Sequence, residues 1–486
     1  MKRFLRKTLI WLVRGVAAII LLLVVFYAEE DWRGAHDWAV YQKELQADGE
    51  SLDLRQIVPP GKPEDDLSKV PIFAELYQED GWEKARIRKL RIELGSTDYS
   101  KVPKFQFLEG EPTDLTAWQN FYRSDLKSPA SDVLATPAMN ILQVLSQFDP
   151  ELNEIDNAVS NPNAYFPIDY QMPFATPGFG VTSMISVAKI LQLKAVAHLE
   201  NHQIDLAEKD YLFSFRINHP LTKGCFLVNY LVIAGVRRLD ESILWEGLRR
   251  HVWNDAQLHE MESSLAATDM LALGSDSLRI ERASFVKAVE VAQVVDTNFV
   301  RRLKARGLAC IFESAMFRPR GWWHEDQLTY SQALQRRIEA IDLAKGTLSS
   351  DRFPYHARFG YIDDNRAVDT STWGEIYIPL STATLPNIDD AGPTIARAET
   401  YIRLARLACR LEEYRIAQGQ YPDKLDQLPD LPAHLNQEVL SEQPLRYQRK
   451  GDSYLLYSIG WNQKDNGGKV AIDNKAADGN WPWPKP

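Results

Sequence analysis

A mainly α protein with a membrane anchor follows from three features of the chain. Near the N-terminus lies one apolar run long enough to cross a bilayer. From about 131 to 350 apolar residues return at helical spacing. In 392–486 a helix gives way to short runs that alternate as strands do. The expected architecture is therefore an N-terminal transmembrane helix, a body of helical hairpins, and a small α+β C-terminal module with a β-hairpin. The boundaries read as 1–28 for cytoplasmic tail and anchor, and 29–130 for a juxtamembrane helix and mixed α/β linker. The helical body takes 131–350, a long loop 351–391, and the C-terminal module 392–486.

The anchor is TLIWLVRGVAAIILLLVVFYA, residues 8–28. As a helix rising 1.5 Å per residue it spans about 31 Å, close to the hydrocarbon thickness. Arg14 lies near enough to the basic end to snorkel to the headgroups. Trp11 and Tyr27 stand where amphipathic rings favour the interface. Lys2, Arg3, Arg6 and Lys7 precede the run, and Glu29, Glu30 and Asp31 follow it. The positive-inside rule then places the N-terminus in the cytoplasm and the body across the inner membrane, with the bilayer as first partner. A cleaved signal peptide and a merely buried helix are the competing readings. Against cleavage after Ala28, the residues before the cut are Phe26-Tyr27-Ala28, with a bulky residue where a small one is wanted.

Composition sets further bounds. Of 486 residues 45% are hydrophobic and 25% charged, ordinary values for a chain with a real core. The net charge is −10, and 1–28 holds five bases and no acid, so the remainder carries all 66 acids against 51 bases. So acidic a body repels polyphosphate, which argues against nucleic acid as a partner. Cys225, Cys310 and Cys409 are too few and too scattered for a disulfide framework or a zinc site, and Cys225 and Cys409 read as buried small hydrophobes.

Along the body, 29–47 continues a helix out of the membrane, with Trp32, Ala35, Ala39 and Leu45 near one face. VPPGKPEDD (58–66) reads as a turn or linker, and KARIRKLRIEL (84–94) as a half-buried strand. The runs at 135–148, 181–200, 227–248, 253–270, 278–295 and 330–348 read as helices in antiparallel pairs, with Asn254 or Asp255 as an N-cap. The stretch 187–218 resembles one tetratricopeptide-type helical hairpin. A 34-residue period does not recur, so a TPR-like array and an irregular bundle are both open.

In the last stretch a helix ends at Gly419, a natural C-cap, and LRYQRKGDSYLLYS turns at Gly451-Asp452 as a hairpin. The order Tyr414, Gly419, Tyr421-Pro422, Leu425, Leu428, Pro444, Tyr447, Tyr457-Ser458, Gly460, Gly467-Gly468 and Trp481 resembles the globular C-terminal half of type II secretion major pseudopilins. It also looks like the C-terminus of a family of membrane-anchored bacterial proteins without an assigned activity. Those proteins share the anchor, the Trp32 to Tyr41 helix and the Pro59-Pro60 turn. The pseudopilin resemblance implies a calcium loop, for which Asn462, Asp465, Asp473 and Asp478 are the candidate ligands. The chain departs from that pattern, with Asn462 where the first acid is usual and a later acidic pair that is not adjacent. An ordinary polar loop is the other reading. No prepilin cleavage site precedes the anchor.

Other constellations carry less. His198 and His202 have the spacing of a two-histidine metal pair, but an exposed polar face explains them as well. Arg301, Arg302, Lys304, Arg306, Arg318 and Arg320, followed by Trp322, Trp323 and His324, suit headgroups or a sugar. A solvated helix face beside a packed aromatic loop suits them equally. There is no GxGxxG, P-loop or GxSxG motif. The expectation is a non-enzymatic, membrane-tethered scaffold of the cell envelope with a protein partner. The alternative is an envelope hydrolase whose acids and histidines converge from dispersed positions.

Overall fold

The computed structural model describes residues 2–78, 85–93, 99–125, 136–171, 173, 179–293, 318–353, 388, 391–470 and 479–485. The helices used below are α1 (Lys2–Ala47), α2 (Leu115–Asp125), α3 (Pro137–Leu145), α4 (Asp149–Val159), α5 (Phe179–Glu200) and α6 (Ile204–Arg216). They continue with α7 (Leu227–Leu248), α8 (Asp255–Ala266), α9 (Met270–Gln293), α10 (Arg320–Ile338) and α11 (Ala391–Gln418). Strands β1 (Ile341–Asp342) and β2 (Thr347–Leu348) form a small antiparallel pair. Strands β3 (Arg446–Lys450), β4 (Ser453–Ser458) and β5 (Trp481–Trp483) form an antiparallel sheet in that order. The chain is thus mainly α, with the apolar N-terminal helix and the C-terminal hairpin that the sequence implies.

Helices α5 and α6 make a hairpin through Asn201–Gln203, packed on α3 and α7. Helix α7 lies against α6, α9 and α11, and α11 in turn contacts α8, α9 and the sheet. One hydrophobic core runs through all of them, from Leu67 to Trp483. Asn254 caps α8 in a reciprocal box with Gln257. Gly419, at φ +75°, ends α11 with its N–H on the Arg415 carbonyl at 2.8 Å. Cys225 and Cys409 are buried. Cys310 and residues 354–387, 389 and 390 of the loop read from 351 to 391 lie outside the described residues.

Two segments differ from expectation. Around 84–94 the described part holds a 3₁₀ turn, Arg86–Lys89, rather than a strand. Ile87 and Leu90 stand three apart, so one turn buries both, and Arg86 is drawn sideways by Glu75 at 2.6 Å and Glu154 at 3.0 Å. The helix read through 348 stops at Ile338. There the chain reverses through Gly346 (φ +65°), whose carbonyl accepts from Arg403 Nη2 at 2.6 Å.

Long-range carboxylates cap several helices. Phe226 gives α7 no side-chain cap, and Glu281 from α9 accepts the Leu227 N–H at 3.0 Å instead. Glu399 accepts from Met270 at the start of α9 at 3.2 Å, and Asp31 from Gly321 in the first turn of α10 at 2.9 Å. Each satisfies an orphan donor at a helix N-terminus.

Candidate functional site: the junction of anchor and body

Helix α1 runs without a break from the apolar run into the body. Its apolar window has a mean hydropathy of 2.8 and none of it is buried in the body, so the helix is long and apolar enough to cross a membrane and is not a core helix. Just past Ala28 it meets the first turn of α10. The two backbones touch because both contact residues are glycines. A Cβ on Gly34 would stand 2.2 Å from the Gly321 carbonyl oxygen, and one on Gly321 only 1.9 Å from that of Glu30. Polar bonds fix this crossing. Trp322 Nε1 donates to Glu30 at 2.8 Å, and Arg33 bridges Glu30 at 2.6 Å and Glu325 at 2.8 Å. Phe26, still within the apolar run, meets the Trp322 ring edge-on at 6.3 Å.

Further along, Trp38, Tyr41 and Leu45 pack with Val286 of α9. The end of the helix is held by Glu50, which accepts from Arg279 at 3.0 Å and Arg282 at 2.6 Å, the latter fully buried. Burial pushes the Glu50 carboxyl up, but the bond from Arg282 and the charge of Arg279 outweigh it and hold the group below its ordinary range. Burial raises the Tyr41 hydroxyl to about 12. The arrangement can hold the body at one angle to whatever surface the apolar run enters. Gly34 and Gly321 are the residues a sequence reading passes over: Gly34 lies within the helical pattern of 29–47, but Gly321 falls in a stretch that reads as a loop.

At the proposed calcium loop, Asp465 Oδ1 accepts from Tyr457 Oη and the Gly467 N–H, both at 2.9 Å, and Oδ2 from Arg446 at 3.2 Å. Those hydrogen bonds lower the Asp465 carboxyl. Asn462 caps the Lys464 N–H at 3.0 Å. Asp473 and Asp478 lie outside the described residues. The same loop is organised by the buried Asn480, which donates to the Ile459 and Lys464 carbonyls and accepts from the Asn466 and Gly468 N–H groups. Among the described residues no group of three or more His, Cys, Asp or Glu could hold a metal ion.

The histidine pair is not formed. His202 lies beyond the end of α5, exposed and at φ +59°, so the helical i, i+4 relation is lost. His198 is not on an exposed face; it bonds Asp210 at 2.8 Å. His251 bonds Glu412 at 2.9 Å, and that carboxylate also takes Arg415 and Tyr421. These are His–acid pairs, but neither imidazole bonds a hydroxyl or thiol among the described residues. An open pocket of about 570 Å³ beside α2 is lined by Lys101, Lys104, Gln106, Asn120 and Phe121 among others, with no acid or histidine. Of the basic cluster, Arg318 is tied to Asp326 and stacks on Trp323. Both tryptophans belong to the first turn of α10, not to a loop. Arg301, Arg302, Lys304 and Arg306 lie outside the described residues.

Compared with known protein families, with curated proteins and with solved structures, the chain matches none.

Proposed function

We propose that this protein is a membrane-tethered scaffold of the bacterial cell envelope, with its N-terminus cytoplasmic and its body outside, presenting that body to a protein partner at a fixed angle. One observation carries the reading: the helix that leaves the apolar run is the same helix that enters the core, locked by the Gly34–Gly321 crossing and the Glu50–Arg282 pair. A flexible tether would only localise the body; a rigid one also orients it. The basic leader and acidic exit of the anchor support the orientation. Continuity of α1 through Ala28 supports an uncleaved anchor, since a cut there would fall inside a helix turn below Phe26 and its contact with Trp322. The C-terminal likeness to pseudopilins supports an envelope assembly as the setting.

Protease access tests the topology. In right-side-out spheroplasts the body should be digested from outside, and in inverted vesicles it should be protected. Digestion in inverted vesicles, or recovery of the intact full-length chain in the soluble fraction without detergent, sinks the proposal. Crosslinking in the membrane before mild detergent extraction should recover a partner protein, and a chain recovered uncrosslinked would remove the scaffold role.

A further inference from the structure

Several buried guanidinium groups in this protein are matched with carboxylates. Arg237 holds Asp240 at 2.9 Å, Arg282 holds Glu50 at 2.6 Å, Arg403 holds Glu399 at 2.9 Å, and Arg318 holds Asp326. Arg406 and Arg410 share Glu262. Such matching is expected, because an unpaired buried charge is strongly destabilising.

Arg397, half-buried in the second turn of α11, differs from these. No carboxylate lies within ion-pair distance of it among the described residues, and its Nε is shut off from solvent without a hydrogen-bond partner. Its neighbours are Arg238, the Tyr401 side chain, which hydrogen-bonds it, and the Glu241 carboxylate. Arg238 of α7 lies with its Cζ 3.6 Å over the Tyr401 ring, and the Arg397 Cζ is 5.8 Å from the same ring. The nearby carboxylate, Glu241, is already engaged by Arg238 Nε at 3.3 Å. Arg238 Nη1 is also buried without a partner. Two guanidiniums thus share one carboxylate, and each keeps an unused N–H. The pair is reachable, since Arg397 and Arg238 are each only half-buried.

We infer that Arg397 and Arg238 form a binding site for an oxyanion, a carboxylate or phosphate group, between α7 and α11. The planar forks of two arginines beside an aromatic ring suit such a group better than a halide, because the paired N–H groups match paired oxygens. Burial and the facing Arg238 both depress the Arg397 guanidinium, as unmatched positive charge should.

The test is thermal unfolding of the full chain in detergent, titrated with inorganic phosphate, with acetate, and with chloride at matched ionic strength. One of the two oxyanions should raise Tm saturably, by roughly 2 °C, while chloride does not. Which of them acts separates a phosphate site from a carboxylate site. The rise should vanish in Arg397→Gln and in Arg238→Gln. In Arg397→Lys, which keeps the charge and guards against a misfolded Gln variant, the midpoint should move at least tenfold to higher anion concentration. No rise with either oxyanion, an equal rise with chloride, or a rise that survives Arg397→Gln overturns the site.

Discussion

Glu281 is half-buried, accepts from the Leu227 N–H, and has no cation within ion-pair distance among the described residues. Burial raises its carboxyl to about 7. A raised carboxyl binds a proton more readily folded than unfolded. Its contribution is therefore complete below the ordinary carboxylate value of about 4.3 and is lost as pH rises through about 7. Glu281→Gln keeps an acceptor for Leu227 and removes the titration. It should match wild type near pH 4 and exceed it by on the order of 3 kcal/mol at pH 8 in thermal melts. A variant that melts lower than wild type at pH 8 would show that the charge itself is wanted at the α7 N-terminus. Glu50 and Glu412 act in the opposite sense. Their carboxyls are lowered, so the stability they give is present above about 4.3 and disappears as pH falls through their folded values. Asp465 offers a further test. Its oxygens already accept from Tyr457, Gly467 and Arg446. Asp465→Ala should lower Tm equally in millimolar calcium and in chelator; a calcium-dependent rise that this variant abolishes would establish the metal loop.

Between elements, the decisive contact is the crossing of α1 and α10. Overpacking a core generally costs about 1–3 kcal/mol because side chains can shift. Here the atoms met by a new methyl group are backbone on both sides. Gly321→Ala should therefore cost about 3 kcal/mol, and trypsin should gain access to Arg33 or Lys43 in the juxtamembrane helix. Wild-type melting together with unchanged digestion would show that the junction is loose. This crossing also marks where sequence reasoning stops. Periodicity revealed α1 beyond the membrane, the α5–α6 hairpin, a cap at Asn254 or Asp255 and the β3–β4 turn, since each is set by neighbours a few residues away. The partners Gly34 and Gly321, Glu281 and Leu227, or Arg238 and Arg397 lie far apart in sequence, and nothing in their spacing announces the pairing. The 84–94 misreading has the same origin. Alternation suggested a strand, but Glu75 and Glu154, remote from that run, hold Arg86 in a turn.

Across the whole molecule, the core that begins at Leu67 ends at Trp483, three residues before the C-terminus of the 486-residue chain. Trp483 lies 5.5 Å from Phe107, which lies 5.8 Å from Trp245 of α7, and Trp245 Nε1 donates to the Lys485 carbonyl at 2.8 Å. The last strand thus reaches back to the segment before α2, while α11 packs on α7, α8 and α9. A core shared in this way should unfold as a unit, because removing the sheet uncovers the faces of α7 and α11 that it buries. The full chain in detergent should therefore show one calorimetric transition, with no separate step for 392–486. Trp483→Ala, at a side chain 1% exposed, should lower that single transition by the equivalent of about 3–5 kcal/mol. Two resolved transitions, with only the smaller moved by the substitution, would instead mean that the C-terminal stretch folds by itself and that its contacts with α7 contribute little.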